Sequence, residues 1–240
     1  MYDTIKMSLT QGEDLQYDYH EIVDNLEDVY QKGVNIIGAY ANGKIGPLFF
    51  FISPFYINLY KGSIAKYWLQ TNAVEMTRKD ILNALNSVSD KLGVDLTKAR
   101  VTQFDFGGNF ETTQSPIRLF DTLGNAQGYT RLEQDNGLYY KRGNMSMVFY
   151  DKGLEQRKKK QSLPPLYKNR FLARYEIRVK KVRDVFGVVL GKDLSEEDFY
   201  VGVYDLWYKE FRKINIVHAP GSDLVITGSS KNLLERVLLA

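Results

Sequence analysis

The residues best suited to covalent chemistry lie in the segment 145–155, which reads Met-Ser-Met-Val-Phe-Tyr-Asp-Lys-Gly-Leu-Glu. Its first part alternates like a β-strand, which places Tyr150 and Lys152 on one face because successive strand side chains point to opposite sides. Gly153 is expected to turn the chain and to bring Glu155 close behind. A phenol, an ammonium group and a carboxylate at this spacing offer a nucleophile, a cation that favours the phenolate and a metal ligand.

Two further carboxylates lie in segments that alternate in the same way. Asp105 lies in one strand-like segment, and Glu176 lies in residues 171–181, where the alternation is clearest. If these strands are neighbours of the Tyr150 strand, their two carboxylates and Glu155 meet on one face of a sheet. Carboxylates at such short range repel one another unless a divalent cation lies between them. The sequence therefore predicts a site for a divalent cation such as Mg²⁺, Ca²⁺ or Mn²⁺.

The composition limits which metal sites are possible. The chain has no cysteine, which excludes disulfides and thiolate ligands and fits a reducing cytoplasm. Its only histidines are His20 and His218, so a histidine cluster is excluded and oxygen ligands are expected. No apolar run reaches the length needed to cross a membrane, and we expect no membrane partner.

The net charge of +3 is small, but the charge is unevenly distributed. Residues 141–181 contain thirteen Lys and Arg against three Asp and Glu, whereas the rest of the chain is acidic. This basic block favours a polyanionic partner such as nucleic acid, although a solvated basic loop has the same composition. The residues expected to contact DNA are Arg157, Lys158, Lys159, Lys160, Arg174, Arg178 and Lys180.

Other assignments for these residue types stay open at this level. Tyr139 and Tyr140, in Gly-Leu-Tyr-Tyr-Lys-Arg, are competing nucleophiles that periodicity does not exclude. Glu176 has arginines on its own face and could serve only as their ion-pair partner. The aromatic residues of 33–70 either form core or, if exposed, stack on bases.

The periodic pattern predicts an α+β fold with a mainly antiparallel sheet and helices packed on one face. The expected strands cover residues 2–10, 34–40, 46–52, 56–60, 64–69, 100–110, 129–132, 138–141, 145–152 and 171–181. The expected helices run from Thr77 to Gly93, from 117 to 123, from 194 to 214 with Ser195 as N-cap, and from Lys231. Residues 156–168 are expected to form a basic loop.

Four short segments, taken in order, resemble the replication initiators of filamentous phages, the gene II/gene X replication protein family. A more distant resemblance is to the rolling-circle initiators of staphylococcal-type plasmids. The segments are an opening Met-x-Asp strand at 1–7, a Gln-x-Asp strand at 101–106, an aliphatic-x-Tyr-x-Lys-x-x-Glu segment at 148–155 and an Arg-aromatic-Glu strand at 174–178. The family has arginine where this chain has Gln103. The resemblance covers about residues 1–185.

The resemblance implies an RRM-like or ferredoxin-like Rep nuclease domain that acts as a metal-dependent, site-specific nickase at a rolling-circle origin. By the match, Tyr150 is the nucleophile beside Lys152, and Asp105, Glu155 and Glu176 bind Mg²⁺ or Mn²⁺. The implied partners are origin DNA, single-stranded or as a melted duplex, and helicase and replication proteins in the cytoplasm of a bacterial host.

The organisation and the function expected from these features can be stated together. Residues 1–190 are expected to form the nicking domain, and residues 191–240 a C-terminal helical extension of it. A non-catalytic protein that binds single-stranded nucleic acid through the basic block and stacking aromatics is the first alternative. A structural or interaction protein with a merely solvated basic loop is the second. A covalent protein–DNA adduct distinguishes the enzyme from both.

Overall fold

The computed structural model describes residues 1–12, 16–36, 38–135, 137–161, 163–167 and 169–217. The fold is α+β, and its main sheet is antiparallel with ten strands in the order β2-β3-β4-β5-β1-β6-β11-β10-β9-β8, while β7 pairs with β12. The predicted fold class is therefore confirmed. In the described part of the chain, no helix is long and apolar enough to cross a membrane.

The elements have the following bounds. The strands are β1 (Tyr2–Thr10), β2 (Asp28–Asn35), β3 (Gly38–Ile45), β4 (Leu48–Ile52), β5 (Tyr56–Lys61), β6 (Arg100–Thr112), β7 (Leu123–Ala126), β8 (Thr130–Gln134), β9 (Gly137–Arg142), β10 (Met145–Asp151), β11 (Phe171–Val179) and β12 (Ile214–Ile216). The α-helices are α1 (Tyr19–Asp24), α2 (Ile64–Leu69), α3 (Arg78–Leu92), α4 (Pro116–Asp121), α5 (Lys152–Lys158), α6 (Val182–Phe186) and α7 (Glu197–Phe211). Short 3-10 helices cover Leu96–Lys98, Pro165–Tyr167 and Gly191–Ser195.

The chain divides into two compact units, each built from several segments. The first unit contains residues 1–72, 76–105 and 179–201, and the second contains 73–75, 106–178 and residue 202 onward. The predicted division at residue 190 stays a prediction.

The first unit contains the meander β2-β3-β4-β5, and buried and half-buried side chains alternate along most of β3, β4 and β5. In β4, Leu48, Phe50 and Ile52 are buried, whereas Phe49 and Phe51 between them are half-exposed. Side chains two residues apart share a face, so one side of the meander forms core and the other does not.

Helix α3 supplies the helical part of the first unit's core. It begins at a capping box, in which Thr77 Oγ1 accepts from Asp80 N at 3.1 Å and Thr77 N donates to Asp80 Oδ2 at 2.9 Å. It ends at Gly93, whose φ of 81° is the left-handed conformation that glycine adopts at low cost. The predicted helix from Thr77 to Gly93 is confirmed.

The second unit contains the meander β8-β9-β10 beside β11, with an aromatic core. The rings of Phe149 in β10 and Tyr175 in β11 stack with centroids 4.5 Å apart. Tyr175 also contacts Trp207, with centroids 4.8 Å apart, and its hydroxyl donates to the Trp207 carbonyl at 2.9 Å. Because side chains alternate, this core fixes which side chains of β10 and β11 point away from it.

Several predicted elements are wrong, two of them in residues 34–69 and one at the start of α7. Residues 64–69 form helix α2 and not a strand, because the Ser63 hydroxyl accepts from Lys66 N at 3.1 Å and caps the first turn. The predicted strand at 34–40 spans the connection between β2 and β3. The predicted helix from 194 begins only at Glu197, since Ser195 belongs to the preceding 3-10 helix.

The predicted basic loop at 156–168 is wrong in its first part, because α5 extends to Lys158. The predicted helix from Lys231 lies outside the described residues.

We expect the substitution Leu85→Ala to lower the free energy of unfolding by about 2–5 kcal/mol, because it removes a buried side chain and leaves a cavity. Leu82→Ala on the same helix is the matched control. Leu82 is 36% exposed, and its loss should cost less than about 1 kcal/mol. Urea unfolding followed by circular dichroism measures both. Equal losses would contradict the packing described for α3.

Candidate active site

Tyr150 lies at the end of β10, where the strand pairs with β9. Its register partner is Gly137, and a Cβ at that position would lie 3.1 Å from Tyr150 Cβ and 2.2 Å from the Phe149 carbonyl oxygen. Glycine is therefore required opposite the tyrosine. The tyrosine side chain is half-buried, which holds the ring while leaving part of it accessible.

The Tyr150 hydroxyl is held by a carboxylate from the neighbouring strand. Tyr150 Oη donates to Glu176 Oε1 at 2.9 Å, which joins residues 26 positions apart in sequence. Both side chains lie on the face opposite to Phe149 and Tyr175, as the alternation of β10 and β11 predicts. The sequence thus correctly predicted that Tyr150 and Glu176 share a face.

Glu176 is buried between two arginines of its own strand. Arg174 Nε donates to Glu176 Oε1 at 2.5 Å, and Arg178 Nη2 donates to Glu176 Oε2 at 3.2 Å. Arg174 is itself fully buried, and its Nη1 donates to Asn109 Oδ1 at 3.0 Å. A carboxylate removed from water to this extent persists as an ion only when such partners compensate its charge.

Burial and the neighbouring positive charges shift the pKa of Glu176 in opposite directions. Burial alone would raise it, but the charges of Arg174 and Arg178, with the hydrogen bonds from Arg174 and Tyr150, lower the pKa to about 2. The carboxylate is therefore ionised throughout the neutral range and accepts the phenolic proton as a hydrogen bond.

Helix α5, which follows β10 directly, carries a second ion pair, between Lys152 and Glu155. Asp151 caps α5 by accepting from Leu154 N at 2.7 Å, so the helix begins at Lys152 and contains the glycine predicted to form a turn. That prediction is wrong, because the cap starts a helix where a turn was expected. Glu155 therefore lies one helical turn after Lys152, and Lys152 Nζ donates to Glu155 Oε2 at 2.7 Å.

Glu155 is also held by two cations. Lys159, one turn further along α5, forms the second ion pair with its carboxylate. Burial alone would raise the pKa of Glu155, but the charges and hydrogen bonds of Lys152 and Lys159 lower it.

Several cations lie in the surroundings of Tyr150. Lys152 is fully buried, and its Nζ lies 5.7 Å from the centroid of the Tyr150 ring. The carboxylates of Glu155 and Glu176 are bound by four cations, which are Lys152, Lys159, Arg174 and Arg178. We refer to Tyr150 with these six residues as the tyrosine cluster. Cations beside a phenol hydroxyl suit the binding of a phosphodiester.

The two competing tyrosines have different environments. Tyr140 is fully buried, and its hydroxyl donates to the carbonyls of Leu123 and Gly124 at 3.2 and 2.6 Å. Burial raises the pKa of Tyr140 to about 12, which makes it a poor nucleophile. Tyr139 is half-buried and pairs with Val148, so it lies on the same face as Tyr150.

The predicted metal ligands are occupied by side chains in this structure. Glu155 and Glu176 each bind two cations, and Asp105 is a buried residue of the first unit. Among the described residues, no group of three or more His, Asp or Glu side chains is arranged to hold a metal ion. A divalent ion would have to displace cations from Glu155 or Glu176, so the donors as arranged do not fit it. Binding of Mg²⁺ or Mn²⁺ by these three acids stays a prediction.

The residues predicted to contact DNA fall into two groups. Arg157, Lys158, Lys159, Lys160 and Lys180 are exposed, and Arg178 is partly exposed. Arg174, in contrast, is fully buried against Glu176 and Asn109. The position of Arg174 is that of a residue that holds Glu176, and its contact with DNA stays a prediction.

Two residues of β6 that support this site were not identified from the sequence. Asn109 orients Arg174, and its own Nδ2 donates to the Ala73 carbonyl at 2.9 Å. A Cβ at Gly107 would lie 2.7 Å from Glu176 Cγ, so only glycine leaves room for that side chain. The Gly-Gly pair inside a strand pattern is the signal that could have found this close approach.

Comparison with known proteins adds independent information on the family of the chain. No curated protein matches it significantly. The family model that describes the N-terminal part of the phage replication-associated gene II protein matches residues 55–198, which is more than half of the chain and includes the whole tyrosine cluster. The chain therefore belongs to the family of replication-associated gene II proteins of filamentous phages, whose role is in rolling-circle DNA replication.

Proposed function

We propose that this protein nicks and rejoins one strand of origin DNA, with Tyr150 as the nucleophile. The observation that carries this proposal is the hydrogen bond from Tyr150 Oη to the ionised Glu176, which two arginines hold. Family membership supplies the substrate class, because a rolling-circle replication protein acts at an origin.

The reaction is an exchange of phosphate esters. Tyr150 Oη attacks the phosphorus of one phosphodiester, and a P–O bond to tyrosine forms as a P–O bond to deoxyribose breaks. The phenolic proton passes to water, and the departing sugar oxygen takes a proton from water and leaves as a hydroxyl, so the protons balance. One phosphate ester replaces another and no ester is hydrolysed. The same sugar hydroxyl can therefore attack the phosphotyrosine and reseal the strand.

Each residue around the phenol has a separate part in this step. Glu176 is a positioning residue that accepts a hydrogen bond from the Tyr150 hydroxyl and so fixes the direction of Oη. Arg178 is partly exposed and can approach a phosphate oxygen, which it would bind better than lysine because its guanidinium donates two parallel hydrogen bonds. Lys152 favours the phenolate through its charge close to the ring.

The exposed basic residues after the cluster provide the attraction for the strand. Residues 157–160 form the end of α5 and the turn beyond it, and all four are exposed. Their charges can neutralise phosphates next to the one that is attacked. A non-catalytic binder of single-stranded nucleic acid would use the same residues, and this second function is favoured only if no covalent adduct forms.

The substitution Tyr150→Phe should abolish covalent adduct formation while leaving binding almost unchanged, since it removes one oxygen atom. The measurement is incubation with labelled single-stranded origin DNA, with Mg²⁺ or Mn²⁺ and with chelator, followed by a denaturing gel. Tyr139→Phe on the same face is the matched control and should retain the adduct. An adduct that survives in Tyr150→Phe and disappears in Tyr139→Phe would show that Tyr139 is the nucleophile and Tyr150 is not.

The substitution Glu176→Gln should lower the free energy of unfolding by about 3–5 kcal/mol, because it breaks the buried ion pair between Glu176 and Arg174. It should also slow adduct formation, since Oη loses its charged acceptor. Glu197→Gln is the control, because its ion pair with Arg78 is exposed and should contribute less than about 1 kcal/mol.

Acid provides a second test of Glu176. Its pKa is depressed in the folded protein, so the unfolded chain takes up the proton first as the pH falls. The stability from this group is complete above the ordinary carboxyl pKa and is lost as the pH falls toward about 2. Urea unfolding between pH 7 and acid should show a smaller loss in Glu176→Gln than in the wild type. Parallel losses in the two proteins would contradict an ionised Glu176.

Replacement of three exposed basic residues should weaken binding to single-stranded DNA and reduce its salt dependence. The test variant combines Arg157→Ala, Lys158→Ala and Lys160→Ala, and it retains Lys159 because that residue pairs with Glu155. Each lost phosphate contact should reduce the slope of log K against log salt by about 0.7. The control combines Lys98→Ala, Lys192→Ala and Lys209→Ala, three exposed lysines elsewhere. Equal slopes for test variant and control would show that the basic residues are only solvated.

A further inference from the structure

The open side of the meander β3-β4-β5 in the first unit carries a group of aromatic side chains. The opposite side of these strands forms core, with Ile45, Phe50 and Ile57 among its buried residues. The open side alternates with it and is half-exposed throughout. We call its aromatic residues the aromatic face, and they are Tyr40, Phe49, Phe51, Tyr56 and Tyr60.

Three of these rings form an offset stack across three strands. The rings of Tyr40 and Phe51 have centroids 5.7 Å apart and an interplanar angle of 8°. Phe51 and Tyr56 have centroids 5.5 Å apart and an angle of 15°. Phe51 is therefore the central ring of a nearly parallel stack, and a planar group can stack on the parts of these half-exposed rings that their neighbours leave uncovered.

Polar side chains lie beside this stack in register with its central ring. Phe51 pairs with Asn42 in β3 and with Asn58 in β5, and Asn58 pairs in turn with Ser8 in β1. Directly paired residues of antiparallel strands share a face. Amide and hydroxyl groups are therefore available next to the rings, where they can donate to and accept from the edge of a heterocyclic base.

The charge on this side of the sheet is positive. Lys61 Nζ lies 4.9 Å from the centroid of the Phe49 ring, and Lys6 in β1 lies two residues before Ser8 and on its face. In the part of the chain that the structure describes, neither lysine has a carboxylate within ion-pair distance, whereas Lys44 pairs with Asp28 at 3.1 Å. This charge complements a polyanion and argues against an uncharged or acidic occupant.

We propose that the aromatic face binds single-stranded nucleic acid by stacking bases on Phe51 and its two neighbours. Stacking is insensitive to sequence, because every base has a π-face, and the two lysines can bind adjacent phosphates. This second site rests on the proposed function only in its ligand, which is the same polymer. It lies in the first unit, whereas the tyrosine cluster lies in the second.

The test measures binding without cleavage. A labelled single-stranded oligonucleotide of about 16 nucleotides is titrated with Tyr150→Phe protein, and fluorescence anisotropy gives the dissociation constant. Phe51→Leu and Tyr56→Leu in that background keep apolar side chains but remove the stacking surface. Each should weaken binding by about 5-fold or more, with an unchanged salt slope. Tyr19→Leu, at a half-buried tyrosine of α1, is the matched control and should bind normally.

Two results would overturn this inference. One is unchanged affinity in both Phe51→Leu and Tyr56→Leu, with circular dichroism showing that the variants are folded. The other is a concentration-dependent dimer of the wild type that both substitutions dissociate, because the aromatic face would then bind a second copy of the chain. Adduct formation by the wild type is scored separately, so failure of the stacking site is distinguishable from failure of the nicking reaction.

Discussion

The ionised carboxylate of Glu176 is the constraint on which the second unit's chemistry depends. A buried negative charge is costly, and here Arg174 and Arg178 offset the cost with direct hydrogen bonds. Burying Arg174 in turn requires another acceptor, which Asn109 provides. The requirement extends to Gly107, because a larger residue would overlap Glu176. One charge thus determines residue types on two strands.

The same arrangement explains why Tyr150 differs from the other tyrosines of its hairpin. Tyr140 donates to backbone carbonyls in the core, which fixes it as a neutral structural residue. Tyr150 donates to a carboxylate whose charge two arginines compensate, and the ammonium group of Lys152 lies close to its ring. A directed hydroxyl with cations nearby suits the proposed attack on a phosphodiester.

The two proposed sites would hold a nucleic acid strand by different means. The tyrosine cluster and the exposed residues 157–160 would act through charge, which weakens as salt rises. The aromatic face would act mainly through stacking, which salt affects little. A protein that must hold a strand during cleavage and rejoining gains from having both, because the cut strand stays bound by contacts that do not depend on the attacked phosphate.

The sequence by itself determined the elements with strong periodicity and clear boundaries. The helix from Thr77 to Gly93 follows from local spacing, as does the alternation that sets Tyr150 opposite to Phe149 and Glu176 opposite to Tyr175, because caps and alternation are properties of neighbouring residues. That Tyr150 and Glu176 share one face depends also on the pairing of β10 with β11. Tertiary structure decided the rest. A short apolar run such as 64–69 fits helix or strand equally. Burial of Arg174 depends on Asn109, a residue 65 positions away, and only folding brings such distant residues within reach of a hydrogen bond.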